Sequence, residues 1–425
     1  MFRFLLLTLV ILVVSCTIDP SAIPKFQTNI EIGLPVFKSK TSSSSFKLLQ
    51  DPFALEEVMA YTAEHVTRYT VTTKRITQQI LPKSFPKTTL YAYGGDCYDS
   101  ITGLHLGLVY SWPGPAFVMN KGTKTSITWR NGLKGKHMFT IEKNLDFMHK
   151  HLNLEDFIPN VAHIHGMANP SNVDGMPEAW YTFDGRHGDR YFTTGPKSLR
   201  NQSTVSIEVN QQESMLFYHD HSIAMTRLNV YSGLAGLFLI QDLHSPLSEL
   251  FNPKHDIILA ISDRKFNEDG SLYYPDVGPA KKFPNWVPEF YGDVMVVNGK
   301  AYPNMNVERN RYRIRLLNAC NSRGLTISFK VEETGALLPF LLYKTDSSYH
   351  YKPVEVTEIV MPVAGRIEIV MDFTSVRTKR VIMQNVPFPN KMDSDVVDRV
   401  PLSTDSIMSF TPSVRVRTPI PEPNK

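Results

Sequence analysis

Short runs in which apolar and polar residues alternate recur along most of the chain. Examples are Thr125 to Arg130, Thr204 to Val209, Asp293 to Val297, Tyr312 to Leu317 and Arg366 to Asp372. Period-two alternation with many β-branched side chains puts one face of each run on a core, so each reads as a strand. Gly, Pro and Asn punctuate them, as at Trp112 to Pro115, Asn131-Gly132 and Asn298-Gly299. Helical periodicity is scarce; Pro52 to His65 is its best case and Ser222 to Val230 a shorter one. The pattern predicts an all-β sandwich or barrel.

A polar break from Gln241 to Lys254, holding Pro246 and Pro253, separates two comparable sets of strands. It divides the chain into a first domain over 47–242 and a second over 250–411. Residues 17–46 read as a polar spacer, with serines from Ser42 to Ser45. The segment from Thr411 to Lys425 holds four prolines and is expected not to form a central strand, leaving 412–425 as a tail. At the other end, Arg3, the apolar run from Phe4 to Val14 and the small residues before Cys16 read as a signal peptide over 1–16. A lipid anchor on Cys16 is the alternative. Either places the protein outside the cytoplasm, secreted, extracellular or periplasmic. No later segment reaches the ~18 apolar residues of a membrane helix, so no membrane span is expected.

Composition narrows the partners. Hydrophobic residues make up 42% and charged residues 20%, an ordinary globular balance. Lys and Arg outnumber Asp and Glu by only 45 to 41 and are scattered, which gives no focused field for nucleic acid. Beyond Cys16, Cys97 and Cys320 form either one long-range disulfide or two separate buried thiols. Asn201 to Ser203 is a glycosylation sequon if the export route is eukaryotic.

The candidate chemistry lies in two histidine pairs. His163 and His165 follow an apolar run, Ile158 to Ala162, and His219 and His221 end another. On a strand, residues i and i+2 face one side, about 6 to 7 Å apart. Each pair thus projects together, with Asp220 pointing away. An all-imidazole set suits copper, zinc or nickel rather than calcium or magnesium. His149 and His151 share the spacing but lie in a polar segment, and His105 and His350 stand alone; these read as incidental.

With both pairs in view, the chain resembles the multicopper oxidases, most closely the branch of the bacterial spore-coat laccase and the bilirubin oxidases. The resembling residues include Pro113 to Pro115, His163 to Gly166, Asp174 to Trp180, Tyr218 to His221 and Thr226 to Leu234. In the second half they include Asp263-Arg264, Asn267 to Leu272, Val297 to Lys300 and Arg315 to Ala319. The resemblance covers about 50–411 and implies tandem cupredoxin-like Greek-key domains. It implies a laccase-like reaction: electrons leave a phenolic, aryl amine, tetrapyrrole or metal-ion reductant at a type 1 copper and pass to a trinuclear copper cluster, where O2 becomes water. By that match His163 is a type 2 copper ligand, and His165, His219 and His221 serve the type 3 pair. Asp174 matches an acidic position near the cluster that assists proton delivery; as plain local structure it is a turn residue before Gly175.

The chain departs from the family pattern in its later half. His350 is the sole histidine after His255, and Cys320 has no adjacent histidine. A type 1 site needs a thiolate and two imidazoles on one metal, so that site and half of the trinuclear ligands are expected to be absent. The chain then reads as truncated, lacking a third domain and inactive alone. Asp96 to Ser111, carrying Cys97 and His105, reads as an insertion. Two other functions compete: a non-catalytic copper-binding or structural protein, and a zinc hydrolase using His163, His165, His219 and Asp220.

Overall fold

The computed structural model describes residues 17–38, 66–141, 156–242, 244–245, 247–248, 251, 253–275, 289–377, 380–386 and 404–416. The expected signal peptide, the helix over Pro52 to His65, and the pair His149 and His151 lie outside the described residues. So do the tail residues 417–425.

Up to Gln241 the strands are β1 (Pro35–Phe37), β2 (Thr67–Gln78), β3 (Thr88–Asp99), β4 (His105–Ser111), β5 (Gly114–Asn120), β6 (Lys124–Arg130), β7 (Ala162–His165), β8 (Gln202–Glu208), β9 (Ser214–Asp220) and β10 (Ala235–Gln241), with helix α1 (Thr226–Tyr231) between the last two. They form one sheet in the order β7-β9-β10-β5-β1-β3-β2-β6-β8, with β4 attached to β3. Its two arms fold over a common aromatic core. Trp129 on β6 and Tyr218 on β9 are far apart in strand order, yet their ring centroids lie 5.5 Å apart. Phe37, Tyr93, Phe117 and Phe238 complete that core.

The second half supplies β11 (Asp256–Arg264), β12 (Val294–Val297), β13 (Lys300–Ala301), β14 (Asn304–Arg309), β15 (Arg311–Asn318), β16 (Leu325–Val331), β17 (Phe340–Thr345), β18 (Ser348–Val356), β19 (Glu358–Met361), β20 (Arg366–Asp372), β21 (Val381–Asn385) and β22 (Ser406–Val416). A seven-stranded sheet, β13-β12-β11-β15-β20-β17-β18, faces a five-stranded one, β14-β22-β21-β16-β19. Their inner faces share Ile314, Leu316, Phe329, Ile369 and Phe410. The all-β expectation holds, and each half shows the two-layer burial of a sandwich.

Two features depart from the expectations. Residues 17–38 of the expected spacer pack into the fold: Ile18 and Ile23 are buried in the second core, Ile30 N–H donates to the Asn304 carbonyl at 2.8 Å, and β1 lies between β3 and β5. Apolar residues spaced too widely for a strand pattern are buried there as single anchors. The strand β22 runs through Pro412 to Val416. This is tolerated because the ladder to β21 ends at Phe410, and the ladder to β14 breaks register just past Pro412. Cys97 and Cys320 are free buried thiols in different cores, so the second of the two cysteine readings is the one observed. The expected insertion, Asp96 to Ser111, is largely the β3–β4 hairpin.

The halves are joined by a buried ion cluster. Glu213, 1% exposed and just ahead of β9, accepts from Arg313 at 2.7 Å and lies 3.6 Å from Arg315 and 3.8 Å from Lys344. Glu368 pairs with Arg313, and Asp256 with Arg315 at 2.6 Å. Burial opposes the Glu213 charge, but Arg313, Arg315 and Lys344 together hold its carboxyl well below the usual range. Burial also pushes the Lys344 amine down to about 8, against the pull of Glu368 and Glu213. Removing one member strands the opposite charges in a dry site. Glu213→Ala is expected to cost about 3–5 kcal/mol in urea unfolding, and Glu213→Gln less; a loss below 1 kcal/mol for the alanine variant would contradict the cluster's cohesive role.

Candidate metal centre

Antiparallel pairing of β7 and β9 brings the two histidine pairs together. The register sets His163 opposite His219, His165 opposite Phe217 and Ala162 opposite Asp220. His221 lies one residue beyond β9, held by its N–H to the Val161 carbonyl at 2.8 Å. The four rings form a compact group: centroids are 5.8 Å apart for His163–His165, 5.4 Å for His163–His219, 4.8 Å for His163–His221 and 5.7 Å for His219–His221. One nitrogen each from His163, His165 and His219 lies within 4.8 Å of the other two. Phe217 stacks on His165 at 4.5 Å and on His219 at 5.0 Å, which fixes both ring planes.

Hydrogen bonds leave the inward nitrogens free to accept. His163 Nδ1 donates to the Asp174 carbonyl at 2.6 Å, and His219 Nδ1 to the Asp220 carbonyl at 2.7 Å. Each ring thus keeps its Nε2 lone pair. His165 Nδ1 faces His219 Nε2 at 3.3 Å, and the buried Nδ1 of His221 has no hydrogen-bond partner. A buried polar atom without a partner is uncommon, and a metal ion beside His221 would satisfy this one. Burial, reinforced by Arg366 and His163, pushes His165 down to about 4. Burial takes His219 down to about 3, against its Asp220 hydrogen bond. His221 is lowered by burial and by His163. Neutral imidazole is the form that binds metal, so the residues present fit a soft or borderline cation.

Asp174 lies in a turn beside His163. It precedes Gly175, whose φ is +73° and where a Cβ would meet the Ala162 carbonyl oxygen at 2.1 Å. The same turn aims the Asp174 carbonyl at His163 and leaves its carboxylate 3.4 Å from that ring nitrogen.

Asp220 points to the opposite side, as strand alternation requires. Its carboxylate accepts from Val161 N–H, Ser222 N–H, the Ser222 hydroxyl and Asn229 Nδ2 at 2.9–3.1 Å. Burial raises it to about 6. Asp220 is therefore turned away from the histidine group and does not serve it as ligand or base. Asn229 continues to His137 Nε2 at 3.2 Å, a contact that no local sequence pattern marks. His105 instead pairs with Asp96 at the surface, 2.6 Å away. His350 lies on β18 in the second half. Cys320 sits beside Asp263, its thiol pushed well up by burial and by that carboxylate.

A tandem β-sandwich protein carrying a strand-borne, all-imidazole centre is the class that fold and site define. Among known proteins, the chain is similar to the laccase of Bacillus subtilis, 32% identical over 326 residues that make up 75% of this chain and 57% of that one. It is similar to the multicopper oxidase LPR1 of Arabidopsis thaliana, 33% identical over 312 residues, 72% and 49% of the two chains. In structure it is similar to a multicopper oxidase from Campylobacter jejuni described as a metallo-oxidase: the TM-score is 0.61 at 19% identity, over 96% of this chain and 66% of that one. That likeness shows the cupredoxin fold. No family model matches the chain. The chain belongs to the multicopper oxidase family, and membership implies copper. It spans about half the length of the curated relatives it matches. Among the described residues no helix is long and apolar enough to cross a membrane.

His165 and His219 link stability to pH. Their folded pKa values lie below the ordinary 6.5, so between about 6.5 and about 3 to 4 the unfolded chain binds more protons than the native one. Their contribution is fully present above 6.5 and is lost as pH falls. Asp220, raised from 3.8 to about 6, acts in the opposite sense as a single group. The urea midpoint of the metal-free protein should therefore drop from pH 6.5 to 4, and His219→Asn should flatten the drop. A wild-type midpoint that is constant or rises across this window would contradict the assignment.

Proposed function

We propose that His163, His165, His219 and His221 hold copper as the first-half ligands of a laccase-like oxygen-reducing centre, His163 on the type 2 side and the others on the type 3 side. The observation that carries this reading is the convergence of four imidazoles on two paired strands, three of them with nitrogens within 4.8 Å of one another. Bound there, copper would supply one-electron chemistry linking a reductant to O2. The chain's own residues do the rest: Asp174 orients His163 and offers a carboxylate for proton exchange beside it, Phe217 fixes ring planes, and Asp220 ties the end of β9 to Val161 and α1.

The reductant is a phenol, aryl amine, tetrapyrrole or metal ion, taken up outside the cytoplasm by a protein whose Cys16 is either cleaved away or lipidated. Its domains are 47–242 and 250–411. Within this sequence Cys320 is enclosed with Asp263 and Arg323 and no histidine adjoins it in the chain. Accordingly, the 425 residues are proposed to carry no type 1 site, half of the trinuclear ligands, and no turnover by themselves. The same observation favours a second reading, a copper-binding cupredoxin protein without catalysis.

Copper stoichiometry, visible and EPR spectra, and O2 uptake with a phenolic donor test these together. Expected are copper binding without intense blue absorption, oxygen consumption at background, and at least a tenfold affinity loss in His163→Ala and His219→Ala. A blue protein with sustained O2 uptake would overturn the incomplete-centre reading. Tight zinc in place of copper after native purification would overturn the metal assignment.

A further inference from the structure

We propose that Arg366, contributed by the second half, is a positioning residue for the histidine centre and supplies a buried positive charge that favours cuprous over cupric occupancy on its His165 side. This rests on the reading that the histidines hold copper. Arg366 opens β20, and its guanidinium is enclosed, the residue being 6% exposed. Nε donates to the Met215 carbonyl on β9 at 3.3 Å, and Nη1 to the Ala364 carbonyl at 2.9 Å. Met215 is two residues before Phe217, which pairs with His165 and stacks on its ring. Nη2 lies against the backbone that leaves His165: a Cβ built on Gly166 would come within 2.8 Å of it. Gly166 has φ +87°, a conformation that favours glycine. Gln211 closes the same loop, taking the Ala168 N–H on Oε1 at 2.7 Å and giving Nε2 to the Gly166 carbonyl at 3.0 Å.

The counter-charge is lopsided. Asp346 Oδ1 lies 3.0 Å from Nη1, but that side chain is 61% exposed while the guanidinium side chain is 6% exposed. Water screens the carboxylate more than the cation, so the field reaching His165 is net positive. A guanidinium is always protonated and has no lone pair to give a metal. It acts through His165 and through its charge: a cation beside the site penalises a doubly charged ion more than a singly charged one.

The test uses the full chain and the variants R366M, R366K, D346N and H165A. Cu(I) and Cu(II) affinities are measured by chelator competition, with EPR of the cupric form and thermal unfolding alongside. R366M is expected to lower the Cu(I)-to-Cu(II) affinity ratio roughly tenfold, the scale of a unit charge several ångströms away in a partly screened site. R366K should restore most of the ratio while altering the EPR signature, because an ammonium cannot reproduce the fork of contacts. D346N, at an exposed position, should move the ratio the opposite way and keeps the proposal testable if R366M does not fold. Unchanged ratios and EPR signatures in R366M and D346N, with or without a fall in thermal stability, would reduce Arg366 to a structural residue. If H165A binds copper as the wild type does, the histidine assignment itself fails and the proposal falls with it.

Discussion

The antiparallel register of β7 on β9 is the constraint on which the centre depends. Setting His163 opposite His219 puts one imidazole from each strand on a shared face and brings a second from each within reach. A slip by one residue would turn every side chain of one strand to the other side. The register is held on both faces. On the histidine side Phe217 stacks on two rings, and on the other side Asp220 takes the Val161 N–H across the strand gap. The two strands are therefore pinned by unlike forces, aromatic packing on one side and a fully bonded carboxylate on the other. Neither belongs to the imidazole group, yet both decide where the imidazoles are.

The second half enters the site as a support. Glu213 anchors the base of β9 in a cluster of three cations, and Arg366 grips the same strand at Met215. Burying so many charges is costly, and a buried ion cluster is no sign of extra stability in itself. What such a cluster does provide is a strict geometric demand, since any displacement of β9 would strand charges that cannot reach water. Placing that demand at the root of the histidine-bearing strand links the geometry of the imidazoles to the packing of the two halves.

Much of this was legible in the sequence. The alternating runs announced an all-β fold, and the i, i+2 spacing of His163, His165, His219 and His221 announced shared faces. The conformation of Gly175 was equally open to reading, because an Asp-Gly turn demands a positive φ. Other features were hidden by long-range origin. Residues 17–38 look like a spacer because their apolar residues are isolated, each filling a hollow that other strands create. Pro412 looked incompatible with an interior strand, and only the end of the β21 ladder makes it acceptable. His137, Glu213 and Arg366 carry no local signature; their roles arise from contacts between segments 92, 100 and 151 residues apart.

The same distinction separates ligand chemistry from ligand environment. Strand spacing can place imidazoles, but it cannot state their basicity, which depends on what buries them. Here both halves contribute: burial lowers His165, His219 and His221, while a charge from the second half lies beside Gly166. Two chains with identical histidine motifs but different partners under Gly166 would therefore hold the same metal at different potentials. A motif identifies the donor atoms; the domain packed beneath it tunes how they hold charge.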